Sequence, residues 1–153
     1  MDPRLTRVLV TGMSGTGKSS ALRALAAQGH RTVDTDSSRW SRWEGTDWIW
    51  REDTMSSLLA TNDTVFVAGC KSNQGRFYPR FHHIVLLSAP ASVLLARIAA
   101  RTDNPYGKSP AERAEILANL AAVEPLLRAT CTLEIDATAP LDDVVRQLAE
   151  LVR

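Results

Sequence analysis

The fold class this sequence predicts is a three-layer α/β domain around a five-stranded parallel sheet, and three observations lead there. Short, nearly continuous apolar runs recur along the chain, helical patterns separate them, and the first run ends in a glycine-rich loop that opens a helix. Apolar runs without alternation suit strands buried on both faces, which is the condition of a parallel sheet. Strands that alternate with helices from end to end call for right-handed crossovers, with helices on both sides.

The elements follow in order. Residues 6–11 (TRVLVT) form a β-branched run that stops at a glycine loop, and residues 18–28 then repeat apolar positions at helical spacing until Gly29 ends the pattern. Residues 31–34 read as a second strand. Residues 64–69 (TVFVAG) read as a third, after the Asn62-Asp63 turn signal. Residues 83–88 make a fourth strand and residues 132–136 a weaker fifth. Ser109, Pro110 and Glu112 combine an N-cap, a proline at the first helical position and a capping-box glutamate, so a helix is expected to start there and run toward Pro125. The last helix starts around Thr138 and Pro140, with Leu141, Val144, Val145, Leu148 and Val152 as its docking stripe.

Composition narrows the function classes. With 153 residues, 44% of them hydrophobic, the chain can bury one sizeable core, and residues 1–153 are read as a single domain. Eighteen basic against seventeen acidic residues give a net charge of +1, with no run of one sign to track a nucleic acid or a membrane surface. No nucleic-acid or membrane partner is expected, and a monomer or weak homodimer is. Cys70 and Cys131 show neither metal-ligand nor redox spacing. No apolar stretch approaches the roughly 18 residues of a membrane span, and the chain opens on charged residues rather than a signal-peptide pattern. These features suggest a cytoplasmic protein. His82 and His83 have no ligand-spaced partners and read as strand-start residues.

The chemistry is concentrated at Gly12, Met13, Ser14, Gly15, Thr16, Gly17, Lys18 and Ser19, followed by Ser20, which match GxxxxGK[ST] in full between a strand and a helix. Gly12, Gly15 and Gly17 let backbone N–H groups turn toward an anion, and the helix aims its positive end at the same place. Lys18 is expected to reach the β- and γ-phosphates of ATP, and Ser19 to bind Mg²⁺. Asp34 and Asp36 sit at the carboxyl end of the second strand, where open parallel sheets place ligands. One carboxylate can support the metal while the other orients an acceptor hydroxyl and takes its proton. The alternative is that residues 34–38 cap a following helix. Arg97 and Arg101, four apart on one expected helix face, can grip phosphate oxygens.

The phosphate loop GMSGTGKSS, the VDTD strand end and the short length resemble the adenylate-kinase-like P-loop kinases, with the shikimate and gluconate kinases nearest in plan. The resemblance implies a P-loop NTPase fold and ATP-dependent transfer to a small-molecule acceptor, with Asp34 on the metal side and Asp36 as acceptor base. It also implies a short lid at residues 102–109, with Arg101 as the first candidate for the lid arginine and Lys108 and Arg113 as further candidates. A loop containing Thr138 would pack on adenine, and residues 37–60 would form an acceptor-binding segment. The chain departs from that pattern after the third strand: shikimate kinases have a glycine triplet there, while this chain has Gly69, Cys70, Lys71, Ser72, Asn73 and Gln74. Gluconate kinases are somewhat more similar, with a cysteine and a basic residue. The third strand also lacks the acidic Walker B residue of adenylate kinases.

All four tryptophans, Trp40, Trp43, Trp48 and Trp50, fall between the second and third strands. They would either stack on an acceptor or form a hydrophobic plug, the latter expected for at least two. The interleaved Arg39, Arg42 and Arg51 are candidates for an anionic acceptor. The functional expectation is a kinase of the shikimate or gluconate type. A nucleoside or nucleotide monophosphate kinase, and a regulatory ATP-binding module or ATPase, stand as alternatives.

Overall fold

The structure is a computed structural model that describes residues 5–153; residues 1–4, on which the reading of the charged N-terminus rests, lie outside the described residues. Alternating side chains on a short central strand set the layers. In β1 (Arg7–Thr11), Val8 and Val10 face one side and Leu9 the other, and all three are fully buried. Parallel to β1 lie β5 (Val65–Ala68) and β6 (His83–Ser88), with Leu9 in register with Val67 and Ile84. β2 (Thr32–Asp34) and β7 (Leu133–Asp136) complete a five-stranded sheet in the order β2-β5-β1-β6-β7, every pairing parallel. The expected fold class is therefore the observed one.

Each face carries its own helices. Ala21, Leu22 and Leu25 of α1 (Lys18–Ala27) and Val144, Val145 and Leu148 of α5 (Leu141–Glu150) close over Val8, Val10, Phe66, Ala68, Val85 and Leu87. On the other face Met55, Leu58 and Leu59 of α2 (Glu52–Thr61) join Trp50, Phe77 and Phe81 over Leu9, Val33, Val65, Val67 and Ile84. α3 (Ala91–Ala100) and α4 (Pro110–Thr130) flank the β6–β7 side. Among the described residues no helix is long and apolar enough to cross a membrane.

Several local expectations need correcting. No helix follows Asp34: residues 38–40 turn, and the chain enters an antiparallel hairpin of β3 (Ser41–Glu44) and β4 (Asp47–Trp50), so the aspartates do not cap a helix. α4 continues through Pro125 to Thr130. Proline removes one N–H, and because Pro125 and Ala121 are both exposed, the carbonyl left without a donor can turn to water. Ser109 caps α4 as expected, accepting from Glu112 N at 3.1 Å, but the glutamate reaches back to Gly107 N, also at 3.1 Å, rather than to the cap residue. Leu141 is 44% exposed and does not dock with the rest of its stripe. Arg101 lies beyond the end of α3 in an extended conformation, so it does not share a helix face with Arg97.

Candidate active site

The strand ends bring the chemistry together. β1, β2, β5 and β7 all finish at the same edge of the sheet, and the strand order departs from chain order beside β1, which opens a crevice there. Gly12 leaves β1 at φ +151, and a Cβ in its place would lie 2.5 Å from the Leu87 carbonyl oxygen, so only glycine lets the loop cross β6 so closely. Gly17 precedes α1 and no side chain caps the helix, which leaves its first N–H groups pointing into a cleft of about 1250 Å³. All of residues 12–20 line that cleft, as do Asp34, Asp36 and Arg101.

Lys18 folds along the loop and donates to the carbonyls of Gly12 (2.6 Å) and Met13 (3.0 Å). Burial pulls its ammonium pKa down, and the Lys71 charge adds to that, against the opposing pull of Cys70, Asp34 and Asp36. An anion would relieve this. Ser19 Oγ donates to Asp34 Oδ2 at 2.7 Å, so a hydroxyl and a carboxylate from two elements already touch. Hard oxygen donors of this kind suit Mg²⁺, and Ser19 and Asp34 are the residues that would hold it.

Asp36 sits further along the cleft, with Trp48 Nε1 (3.0 Å) and Lys71 Nζ (3.1 Å) both donating to its Oδ1. Partial desolvation opposes its ionisation. The Lys71 charge and hydrogen bond, the Trp48 N–H and the Lys18 charge outweigh that and hold its carboxyl below the usual range. Gly69 makes room for this arrangement: a Cβ there would collide with Thr35 Oγ1 and sit 3.1 Å from Trp50 Nε1. Thr35 and Trp50 form a buried pair, with the indole N–H donating to the threonine hydroxyl at 2.8 Å.

The family follows from the sequence as a whole, since the AAA domain family matches residues 8–118, from β1 into α4. The chain belongs to the AAA domain family. Among solved structures, this AAA domain has the fold of a shikimate kinase from Acinetobacter baumannii in complex with shikimate (16% identity, TM-score 0.71, 97% of this chain and 93% of that one). It is equally similar in fold to the shikimate kinase from Bacteroides thetaiotaomicron (21%, TM-score 0.71, 96% and 98%). The gluconokinase from Sinorhizobium meliloti 1021 is also close (20%, TM-score 0.67, 97% and 92%). No curated protein matches the sequence. The expected likeness to P-loop kinases of the shikimate and gluconate group is thus a likeness of fold.

Other expected positions fall less evenly in the AAA domain. Arg101 donates through Nη2 to the Tyr106 carbonyl (2.9 Å), and its Nε is buried with no partner among the described residues. Lys108 donates to the Arg101 carbonyl, and neither it nor Arg113 lines the cleft. Thr138 binds Asp136 Oδ1 through both its N–H (2.9 Å) and its hydroxyl (2.6 Å), while its neighbours Ala137 and Ala139 face the cleft beside Leu141, Val123 and Leu126. None of the four tryptophans is among the cleft-lining residues. Trp50 is fully buried, Trp40 packs against the same core, and Trp43 is 65% exposed against Trp48, with ring centroids 5.0 Å apart.

Sequence reasoning placed too little weight on Arg97 and missed Lys71, Gln74 and Tyr78. Arg97 donates to Gly15 O (3.3 Å) and Ala137 O (2.6 Å), bracing the phosphate loop against the loop after β7. Gln74 is buried, accepts from Lys71 N and donates to Thr11 and Tyr78. The available signal was position: Lys71 lies three residues past the end of β5, at the same sheet edge as Asp34 and the phosphate loop.

Proposed function

We propose that this protein is an ATP-dependent kinase that transfers the γ-phosphoryl group to a hydroxyl of a small molecule. The observation that carries the reading is one cleft holding the phosphate loop, the touching Ser19–Asp34 pair and, next to them, the ionised Asp36. Lys18, with the N–H groups that open α1, would hold the phosphates, and Arg97 would keep the loop in shape. Arg101, with a buried N–H that lacks an acceptor, would meet transferring oxygens when residues 102–109 close as a lid. The apolar end around Ala137, Ala139, Leu141 and Val123 suits a nucleobase.

When bound by Ser19 and Asp34, Mg²⁺ would neutralise phosphate charge. Asp36 orients the acceptor hydroxyl and takes its proton as the oxygen–phosphorus bond forms and ADP leaves. Two features favour an alcohol over a nucleotide acceptor. The tryptophans are not in the cleft to stack on a second base, and the acceptor end is lined by Asp36 and Asp47. Residues 37–60 would still frame the acceptor, through Asp47 of the hairpin.

The test is transfer of labelled γ-phosphate from ATP to pooled polyols, sugar acids, nucleosides and nucleoside monophosphates, with products separated by chromatography. A phosphorylated alcohol is expected. Inorganic phosphate as the sole labelled product would favour the ATPase reading, and labelled nucleoside diphosphate from added monophosphates the nucleotide-kinase reading.

A further inference from the structure

Asp36 is held by two residues that no phosphate-loop motif calls for. Trp48 reaches it from β4 of the hairpin, at 3.0 Å, and Lys71 reaches it from the loop after β5, at 3.1 Å, both on Oδ1. The Lys71 side chain is only 10% exposed while that of Asp36 is 71% exposed, so the ammonium is the fixed partner and the carboxylate the one being steered. Lys71 is itself fixed, because its backbone N–H donates to the buried Gln74 side chain at 2.9 Å. The aspartate backbone is also tied down, Asp36 N donating to Asp34 Oδ1 at 3.2 Å.

A carboxylate that rotates freely offers either oxygen in any direction, whereas two donors converging on one oxygen from different segments fix its plane. We infer that Trp48 and Lys71 form a clamp that commits Oδ1 of Asp36 and leaves Oδ2 as the single oxygen that receives the acceptor hydroxyl. The inference rests on the reading of Asp36 as the acceptor base. Both are positioning residues: neither exchanges a proton with substrate. In the transfer step the hydroxyl oxygen bonds to the γ-phosphorus, the bond from that phosphorus to the bridging oxygen breaks, and the hydroxyl proton passes to Oδ2. The clamp also makes the β3–β4 hairpin part of the acceptor site although its tryptophans lie outside the cleft.

The test uses the whole protein with Mg·ATP alone, water standing in for the acceptor hydroxyl. Trp48→Phe keeps the contact with Trp43 and loses only the N–H, and Lys71→Met keeps the stem and loses the ammonium. Each is expected to lower kcat for hydrolysis about tenfold with the KM for ATP unchanged, since loss of orientation acts on the reacting geometry rather than on nucleotide binding. Lys71→Arg, which keeps a donor, should recover most of the rate. A second readout needs no turnover: the indole ¹⁵N–¹H signal of Trp48, identified by its loss in Trp48→Phe, should move in both Asp36→Asn and Lys71→Met. If Asp36→Asn slows hydrolysis while Trp48→Phe and Lys71→Met leave it at the wild-type rate, the clamp is overturned and the base assignment stands. If Asp36→Asn itself hydrolyses Mg·ATP at the wild-type rate, the base assignment fails and takes the clamp with it. A Trp48 indole signal that ignores both substitutions overturns the clamp on structural grounds.

Discussion

Asp36 and Lys71 show how far single residues could be read without a structure. The place of the aspartate in the cleft was legible because a carboxylate two residues past Asp34, at a strand's carboxyl end, has few positions it can occupy. Lys71 was not, because a lysine stem spans several ångströms and its loop gives no periodicity from which to infer where the ammonium lands. Asp36→Asn keeps the shape of the side chain and its place at the end of β2, and no helix depends on it as a cap. Positioned proton transfer contributes about 10²- to 10⁴-fold, so phosphoryl transfer to the acceptor should drop by that order while nucleotide affinity, measured by calorimetry, barely moves. Transfer within a few-fold of wild type would remove Asp36 as the base, and a matching loss of nucleotide affinity would place it among the metal or structural residues.

At the scale of elements, the parallel strands were legible because burial on both faces leaves a plain signature of β-branched and apolar residues. The β3–β4 hairpin inverts that logic: Ser41 is fully buried, its hydroxyl donating to Thr35 O at 2.7 Å, while Trp43 is exposed, so hydropathy alternation pointed nowhere. The start of the β1–β6 pairing carries a pH-sensitive contact. Arg7 N donates to His82 Nδ1 at 2.9 Å, which requires a neutral ring protonated on Nε2. Burial, followed by the Arg7 and His83 charges, lowers the His82 pKa from its ordinary 6.5. The folded state therefore prefers the neutral ring, and its contribution is complete above 6.5. As pH falls below that value the unfolded chain takes up the proton first, so stability declines until the folded pKa is passed. Urea midpoints across this window should fall with pH in the wild type and less steeply in His82→Asn, which has no ionisable ring. In an NMR titration His82 should protonate below its ordinary 6.5, and a His82 that titrates at or above that value would contradict the contact.

Across the whole molecule, the cleft is assembled from the ends of separate strands, the start of α1 and the loop beyond α3, so a nucleotide bound there joins elements that lie far apart in the sequence. Binding to the folded state alone should raise global stability, by about 2.7 kcal/mol at 100 times the dissociation constant. For a domain of this size each kcal/mol moves the melting temperature by about 2–4 °C, so a saturating non-hydrolysable ATP analogue with Mg²⁺ should raise it by roughly 5–11 °C. Lys18→Ala separates that effect from any general action of the nucleotide on the fold. The ammonium donates to the Gly12 and Met13 carbonyls and the lysine belongs to neither core cluster, so the variant should fold, with the unliganded melting temperature changed far less than the ligand-induced rise. The rise itself should largely vanish, because the ammonium that meets the phosphates is gone while the rest of the cleft remains. A variant that keeps the full rise would mean that the analogue binds somewhere other than the phosphate loop. A variant that unfolds would mean that the two carbonyl contacts hold the loop, and Lys18→Met, which restores the stem without the charge, would then decide between loss of packing and loss of the ammonium.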